Sequence, residues 1–474
     1  DLYRSTEEVF SASNATLLAS RLPVTAASFT DSAVTNGTTY YYTAVPYHAF
    51  ADGSVDVSSN RRTVALTPRD WTQIGAGDII YSKHIQTLFT SGCAVHGCHA
   101  STDAGVHRLP KGMHGGSSYD LSTWESALEG TDHVAQIVPF RASKSHLIQH
   151  LNRDTTVAPA AQPAMPPGFP FPSELRDLLI RWIDAGAKKD DGTVPFTAMP
   201  ARGLAYVTNQ GEDLTAVIDL DRHRIIRYVT TGRENTSSGA PFSPHNVAVD
   251  RQNQFYYVNL IGGSRLLRFR VSDNAPAGEL TAGVHSPAQV ALSPSGDTAY
   301  VTNFEDARTS ITVVHTPTMS VIGSIGTPAM LKPHGVTMTP DGSLLLVMNS
   351  FSDNVTIIRT SDQSVLATVP VSGSVPPLPA GYLFRFEPYQ AVITPDGRYA
   401  YITCRSSGEV RVLDIPSRTV IDSITVGATP LIPAISPDGS TVYVANRNSN
   451  SVSVISTATR SVTATIGNVG VEPH

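Results

Sequence analysis

Ala299-Tyr300-Val301-Thr302-Asn303 follows the turn Pro294-Ser295-Gly296-Asp297 and recurs as Val442-Tyr443-Val444-Ala445-Asn446 behind Pro437-Asp438-Gly439. Pro340-Asp341-Gly342 and Pro395-Asp396-Gly397 open two further copies. An Asp-Gly pair supplies the positive φ of a tight hairpin, and the alternating residues beyond it read as a strand. Each copy sits in the same order: anchoring proline and first strand, turn, second strand, then a third such as Asn354-Val355-Thr356-Ile357-Ile358 or Ser451-Val452-Ser453-Val454-Ile455. A fourth such as Ser364-Val365-Leu366-Ala367-Thr368-Val369 closes the unit. The anchors Pro244, Pro287, Pro333, Pro388, Pro430 and Pro473 are spaced by 43, 46, 55, 42 and 43 residues. Four strands every ~40–45 residues is the period of a propeller blade.

The rest of the composition agrees with a mainly β protein of several domains. The chain has 474 residues, a net charge of −6 and only 16% charged residues, with no Lys/Arg-rich stretch. A nucleic-acid-binding role therefore has no electrostatic footprint. No apolar run approaches the ~18–20 residues of a membrane-spanning helix. Three cysteines cannot form a disulfide framework. The absence of Met at Asp1, with no leader pattern, predicts a mature or partial chain.

Three regimes follow along the chain. Residues 1–68 alternate apolar and polar positions between turns. Residues 69–192 hold all three Trp, Cys93 and Cys98, and eight of the 15 His: His84, His96, His99, His107, His114, His133, His146 and His150. Clear helical signals occur only there. Residues 193–474 carry the repeat, with six blades expected and the first beginning near Val194.

The Tyr-Val-Thr-Asn strands at 206–209 and 300–303 resemble the YVTN family of β-propellers, which is similar to the propellers of cytochrome cd1 nitrite reductase and the methylamine dehydrogenase heavy chain. The resemblance implies seven blades, six of them visible, with a closing unit starting at Pro473-His474. Propellers host unrelated chemistries, so it fixes no function. Tyr3-Arg4-Ser5-Thr6, Ser28-Phe29-Thr30-Asp31 and Asn36-Gly37-Thr38-Thr39-Tyr40-Tyr41-Tyr42 resemble a fibronectin type III β-sandwich from its third strand onward, the front strands being absent.

Cys93-Ala94-Val95-His96-Gly97-Cys98-His99 is the sharpest chemical motif. Covalent haem attachment needs two thiols for the vinyl groups and an adjacent His for the iron. The usual spacing is C-x-x-C-H; here it is C-x₄-C-H. Ile79, Ile80, Ile85, Leu88 and Phe89 precede it at helical spacing. Ser173 is placed to cap a later helix bearing Leu175, Leu178, Leu179, Trp182 and Ile183, with Gly186 at its stop. Two other chemistries stay open for the cysteines: a local disulfide, or a zinc site shared with His.

Tyr119-Asp120-Leu121-Ser122, Ile137-Val138-Pro139, Ser145-His146-Leu147-Ile148, Met165-Pro166-Pro167 and Trp182-Ile183-Asp184-Ala185-Gly186-Ala187 resemble, in order, the small α-helical class I-like cytochrome c domains of planctomycete-type multidomain proteins. The resemblance implies one covalent haem c on Cys93 and Cys98, with His99 as proximal and Met165 as distal iron ligand. His114, His146 and His150 are rivals to Met165, while His96 is read as solvent-facing. A Met/His pair raises the reduction potential.

Three blades begin Pro-His, which places His245, His334 and His474 at one mouth of the propeller; Ala288, Tyr389 and Leu431 are their counterparts. These His are candidates for a metal, a second cofactor or an anionic substrate, against a structural reading in which each hydrogen-bonds a neighbouring loop. Cys404 replaces the signature Asn and reads as a buried thiol.

The sequence thus predicts an exported monohaem cytochrome, periplasmic or extracellular, that transfers electrons to and from redox protein partners, with the propeller as a docking platform. Two alternatives remain. In one, the propeller is an oxidoreductase fed by the haem; in the other, the chain belongs to a structural or adhesive extracellular assembly.

Overall fold

The structure is a computed structural model describing residues 1–9, 14–23, 29–57, 62–68, 70, 73–93, 119–130, 136–155, 158–162, 164–165, 170–196, 203–232, 241–373 and 386–473. It divides into two compact units, Asp1–Phe196 and Thr197–His474.

In the first unit, β1 (Leu2–Ser5), β2 (Thr16–Ala19), β3 (Tyr40–Ala44) and β6 (Arg62–Leu66) form an antiparallel sheet in the order β2-β1-β3-β6. β4 (Tyr47–Ala49) and β5 (Val55–Val57) form a separate hairpin. Asp31 is gripped by Arg4 at 2.8 Å and by the Tyr42 hydroxyl at 3.0 Å. Residues quoted from three separate stretches of the sequence therefore meet at one carboxylate.

The helices follow. Wide π-helical turns, Tyr81–Ile85 and Phe89–Cys93, flank α1 (Gln86–Leu88); α2 is Trp124–Glu129, α3 His146–Leu151 and α4 Ser173–Asp184. They share one apolar core in which Ile85, Phe89, Ile148, Leu178, Leu179 and Ile183 are fully buried. Trp182 lies between Tyr81 (ring centres 5.6 Å apart) and Phe89 (6.4 Å), so the first and last helical segments pack together. Ser173 does not cap α4: it is the first helical residue, Pro172 precedes it, and no side chain caps the end. The fixed φ of Pro172 organises that start in place of a hydroxyl. Gly186 does end the helix, at φ +107°, where a Cβ would strike the Phe140 ring.

The second unit is mainly β and propeller-like. β7 (Leu204–Asn209), β8 (Leu214–Asp219) and β9 (Arg224–Thr230) form a three-stranded sheet. Five four-stranded antiparallel sheets follow, with first strands β10 (Pro244–Val249), β14 (Pro287–Leu292), β18 (Pro333–Met338), β22 (Pro388–Ile393) and β26 (Pro430–Ile435). These first strands pack against one another in succession, with β7 against β10. The first blade was expected to have four strands; among the described residues it has three.

Each letter of the Tyr-Val-Thr-Asn strand has its own task. Tyr300 joins the core formed with Leu345 and Val347 of the following blade, and Tyr401 does the same with Val442 and Val444. The Val position thus faces the preceding blade. At the ends of the series these faces are open: Tyr443 is 41% exposed where Tyr401 is 0%, and Val207 is 45% exposed where Val301 is 0%. The Asn clamps the next strand. Asn303 Nδ2 donates to Thr312 Oγ1 at 3.0 Å, Asn349 to Thr356 at 2.8 Å, and Asn446 to Ser453 at 2.9 Å.

The Thr handles a backbone irregularity. After Pro244, Pro287, Pro333, Pro388 and Pro430 the ladder between first and second strands slips, a β-bulge. Thr302 Oγ1 accepts the bulged Gln289 N–H at 2.9 Å and donates to His334 O of the next blade at 2.8 Å. Thr403 repeats this with Gln390 N–H (3.2 Å) and Leu431 O (2.7 Å).

Thr302→Val keeps the shape and removes both bonds, leaving buried backbone groups unpaired. An unmade buried hydrogen bond costs about 1–3 kcal/mol, so denaturant unfolding of the propeller should show at least that loss. No change in the midpoint would contradict the bridging role.

Candidate functional site

Two places carry chemistry, one in each unit. In the first, the motif stretches assemble around the helical core. Tyr119 buries its ring and donates its hydroxyl to Ala127 O at 2.9 Å. Ser145 is fully buried; its Oγ accepts Val138 N–H at 2.9 Å and donates to Arg141 O at 3.0 Å. Asp184 accepts Ala142 N–H at 2.8 Å, and Trp182 Nε1 donates to Lys188 O at 3.0 Å.

Cys93 ends the first helical segment and packs, half-buried, against this core; Met165 packs half-buried against the same core. Met165 N–H donates to His150 O at 2.8 Å, tying its loop to the end of α3. Asn152, 1% exposed, pins the intervening loop by donating to Asp154 O at 2.6 Å and Ala158 O at 2.5 Å. Sequence reading missed Asn152, although an Asn just past a helix followed by polar residues is a turn signal. His146 and His150, one turn apart on α3, have ring centres 5.7 Å apart. Burial, and then the neighbouring His150, depress the His146 pKa. Cys98, His99, His96, His107, His114 and His133 lie outside the described residues.

At the propeller mouth the bulges decide which side chains point inward. The slipped residue just past each anchor is His245, Ala288, His334, Tyr389 or Leu431. His245 and His334 are two blades apart, yet their ring centres are 5.3 Å apart at 76°. Ala288, on the intervening strand, carries no side chain long enough to separate them. His334 is 1% exposed, stacked on Tyr389 at 3.6 Å and edge-on to Phe304 at 4.7 Å. His245 Nδ1 lies 3.0 Å from Ala288 O, and His334 Nδ1 lies 3.0 Å from Tyr389 O. Each ring therefore bonds a neighbouring strand rather than a loop. His474 lies outside the described residues.

The residue before each anchor is strained: Ser243, Ser286, Lys332, Glu387 and Thr429 have φ of 45–56° without being glycine. Lys332 spans Phe304 (4.8 Å) and Phe351 (4.4 Å) and pairs with Asp306 at 2.7 Å. Buried Glu387 pairs with Arg405 and accepts the Ser406 hydroxyl at 2.5 Å. Cys404 is fully buried and burial pushes its thiol pKa up, so it is no nucleophile. Among the described residues no group of three or more His, Cys, Asp or Glu is placed to hold a metal, and no helix is long and apolar enough to cross a membrane.

No protein-family profile matches the chain, and no curated protein does. Among solved structures, hydrazine synthase of Kuenenia stuttgartiensis aligns at 21% identity and TM-score 0.46, over 54% of this chain and 80% of that one. A functionally unknown protein of Desulfotomaculum acetoxidans aligns at 18% and 0.47, over 57% and 81%. A Lactobacillus plantarum protein aligns at 17% and 0.47, over 58% and 84%. The propeller-like architecture given above rests on the strand pairing of this chain.

His334→Phe keeps the aromatic packing and deletes the Nδ1 bond to Tyr389 O. The expected loss is about 1–3 kcal/mol in chemical denaturation. An unaltered stability would remove the inter-blade role from this ring.

Proposed function

We propose that this chain is an exported monohaem c-type cytochrome that carries electrons. One observation supports the reading most: Cys93, first thiol of the Cys-x₄-Cys-His stretch, and Met165 pack against the same apolar core, although they are 72 positions apart in sequence. The donor set suits the group. A thiol can form the tether, a thioether sulfur is a soft ligand for iron, and apolar walls lower the local dielectric.

In this reading Cys93 and Cys98 would hold the haem through two thioether links, and His99 and Met165 would ligate its iron. Haem c bound there supplies one-electron redox chemistry. The chain does the rest. Ile85, Phe89, Ile148, Leu179 and Ile183 keep water from the core, His150 O fixes the backbone of Met165, and Asn152 holds its loop. Two side-chain ligands, His99 and Met165, would leave no substrate site at the iron, which favours a carrier over a catalyst.

The finer assignments belong to the same proposal: a fibronectin-like module over 1–68, a cytochrome module over 69–192, and a propeller from 193 that offers a docking surface to redox protein partners in the periplasm or outside the cell.

Pyridine haemochrome analysis should give one covalent haem per chain. Met165→Ala should keep that haem, abolish the near-infrared sulfur-to-iron band and lower the reduction potential. Survival of the band in Met165→Ala would transfer the distal role to another methionine, and its absence from the unsubstituted protein would transfer it to a nitrogen ligand such as His150; absence of any haemochrome would end the reading.

A further inference from the structure

One buried side chain closes the chain segment that leads to Met165. Asn152 directly follows α3 and is 1% exposed. An asparagine amide offers two donor hydrogens and an oxygen with two lone pairs. All four are engaged here. Nδ2 donates to Asp154 O at 2.6 Å and to Ala158 O at 2.5 Å, while Oδ1 accepts Asp154 N–H at 3.0 Å and Arg176 Nη1–H at 3.4 Å. Arg176 stands on α4, so one amide ties the end of α3 both to the following loop and to α4.

The end of α3 holds the same loop twice more. The last carbonyls of a helix have no partner within it. Here Gln149 O accepts Ala161 N–H at 2.9 Å and His150 O accepts Met165 N–H at 2.8 Å. Ala158, whose carbonyl Asn152 grips, is buried in the helical core. The Asn152–Ala158 bond closes a turn between residues six apart, and closing it removes conformations in which the far end of the loop wanders. That leaves a short path from Ala158 to Met165, whose side chain packs on the core that Cys93 borders.

A thioether carries no charge to draw it to a metal, so its occupancy depends on how well the chain presents it. We propose that Asn152 is the positioning residue of the distal ligand. By fastening the chain ahead of Met165 to α3 and α4, its amide decides how firmly the sulfur is held on iron and how high the reduction potential stands. This rests on the haem reading above and adds the residue that tunes it.

The experiment uses the full-length holoprotein with Asn152→Asp, Asn152→Ala and Ser145→Ala. Asn152→Asp keeps the shape and the acceptor bonds but cannot donate to Asp154 O or Ala158 O. Asn152→Ala removes all four bonds. Ser145→Ala deletes a buried hydroxyl that bonds Val138 and Arg141, away from the loop, and so reports what lost stability alone does. Both Asn152 variants should keep one covalent haem, because Cys93, Cys98 and His99 are untouched. They should lose most of the near-infrared sulfur-to-iron band, with the potential shifted down toward that of Met165→Ala. Exchange of the Met165 amide hydrogen should quicken at least about tenfold. Ser145→Ala should lower the unfolding temperature and leave band and potential in place. Unaltered band, potential and exchange in both Asn152 variants overturn the positioning role and leave the haem reading intact. An equal loss of band in Ser145→Ala overturns it as well, since general destabilisation then accounts for the effect. An unsubstituted protein without haem, or with haem and no band, ends the Met165 assignment and this proposal with it. If Asn152→Ala yields no folded protein, Asn152→Asp decides by the same readouts.

Discussion

The propeller depends on satisfying a backbone fault that each of its five four-stranded sheets creates. Each innermost strand slips register just after its anchoring proline, which points one side chain inward and leaves peptide groups off the ladder. In a buried strand those groups must find partners. Thr302 and Thr403 supply them with a single hydroxyl that accepts within its own blade and donates to the next. The fault and its repair therefore join neighbouring blades, and the same fault builds the mouth where His245 and His334 meet.

Much of this was legible in the sequence because it repeats. The proline anchors, the Asp-Gly turns and the Tyr-Val-Thr-Asn strand gave strand order and blade length. They also put His245 and His334 on one mouth. What a single strand cannot show is which neighbour its side chains face. Tyr300 looks forward and Val301 backward, a distinction that appears only once blades are stacked. Exceptions were equally illegible. Where Cys404 replaces the clamping Asn, the position that the Asn bonds in other blades is Arg411, whose guanidinium turns to Phe386 and Glu409. In another blade Ser350, two residues beyond the usual hydroxyl position, donates to Pro388 O at 3.0 Å.

The helical core was readable through its apolar spacing. Leu178, Leu179, Trp182 and Ile183 are the buried face of α4. Local detail was less accessible. Ser173 was the natural cap by residue type, yet Pro172 starts the helix one position earlier in the chain. The segment before Cys93 winds largely in wide turns, and the apolar period does not distinguish those from α-helix. Asn152 escaped notice because a buried asparagine that pins a loop looks like any polar loop residue until its partners are placed.

The two units differ in what they bring together: an apolar helical core with sulfur at its edge, and an imidazole pair packed among aromatic rings on a stack of sheets. The first carries the functional claim. It is tested most directly by the intact mass of the denatured, acid–acetone-extracted protein. A mass equal to the polypeptide plus one haem is predicted, and a bare polypeptide mass, with the pigment left in the solvent or never present, would contradict it.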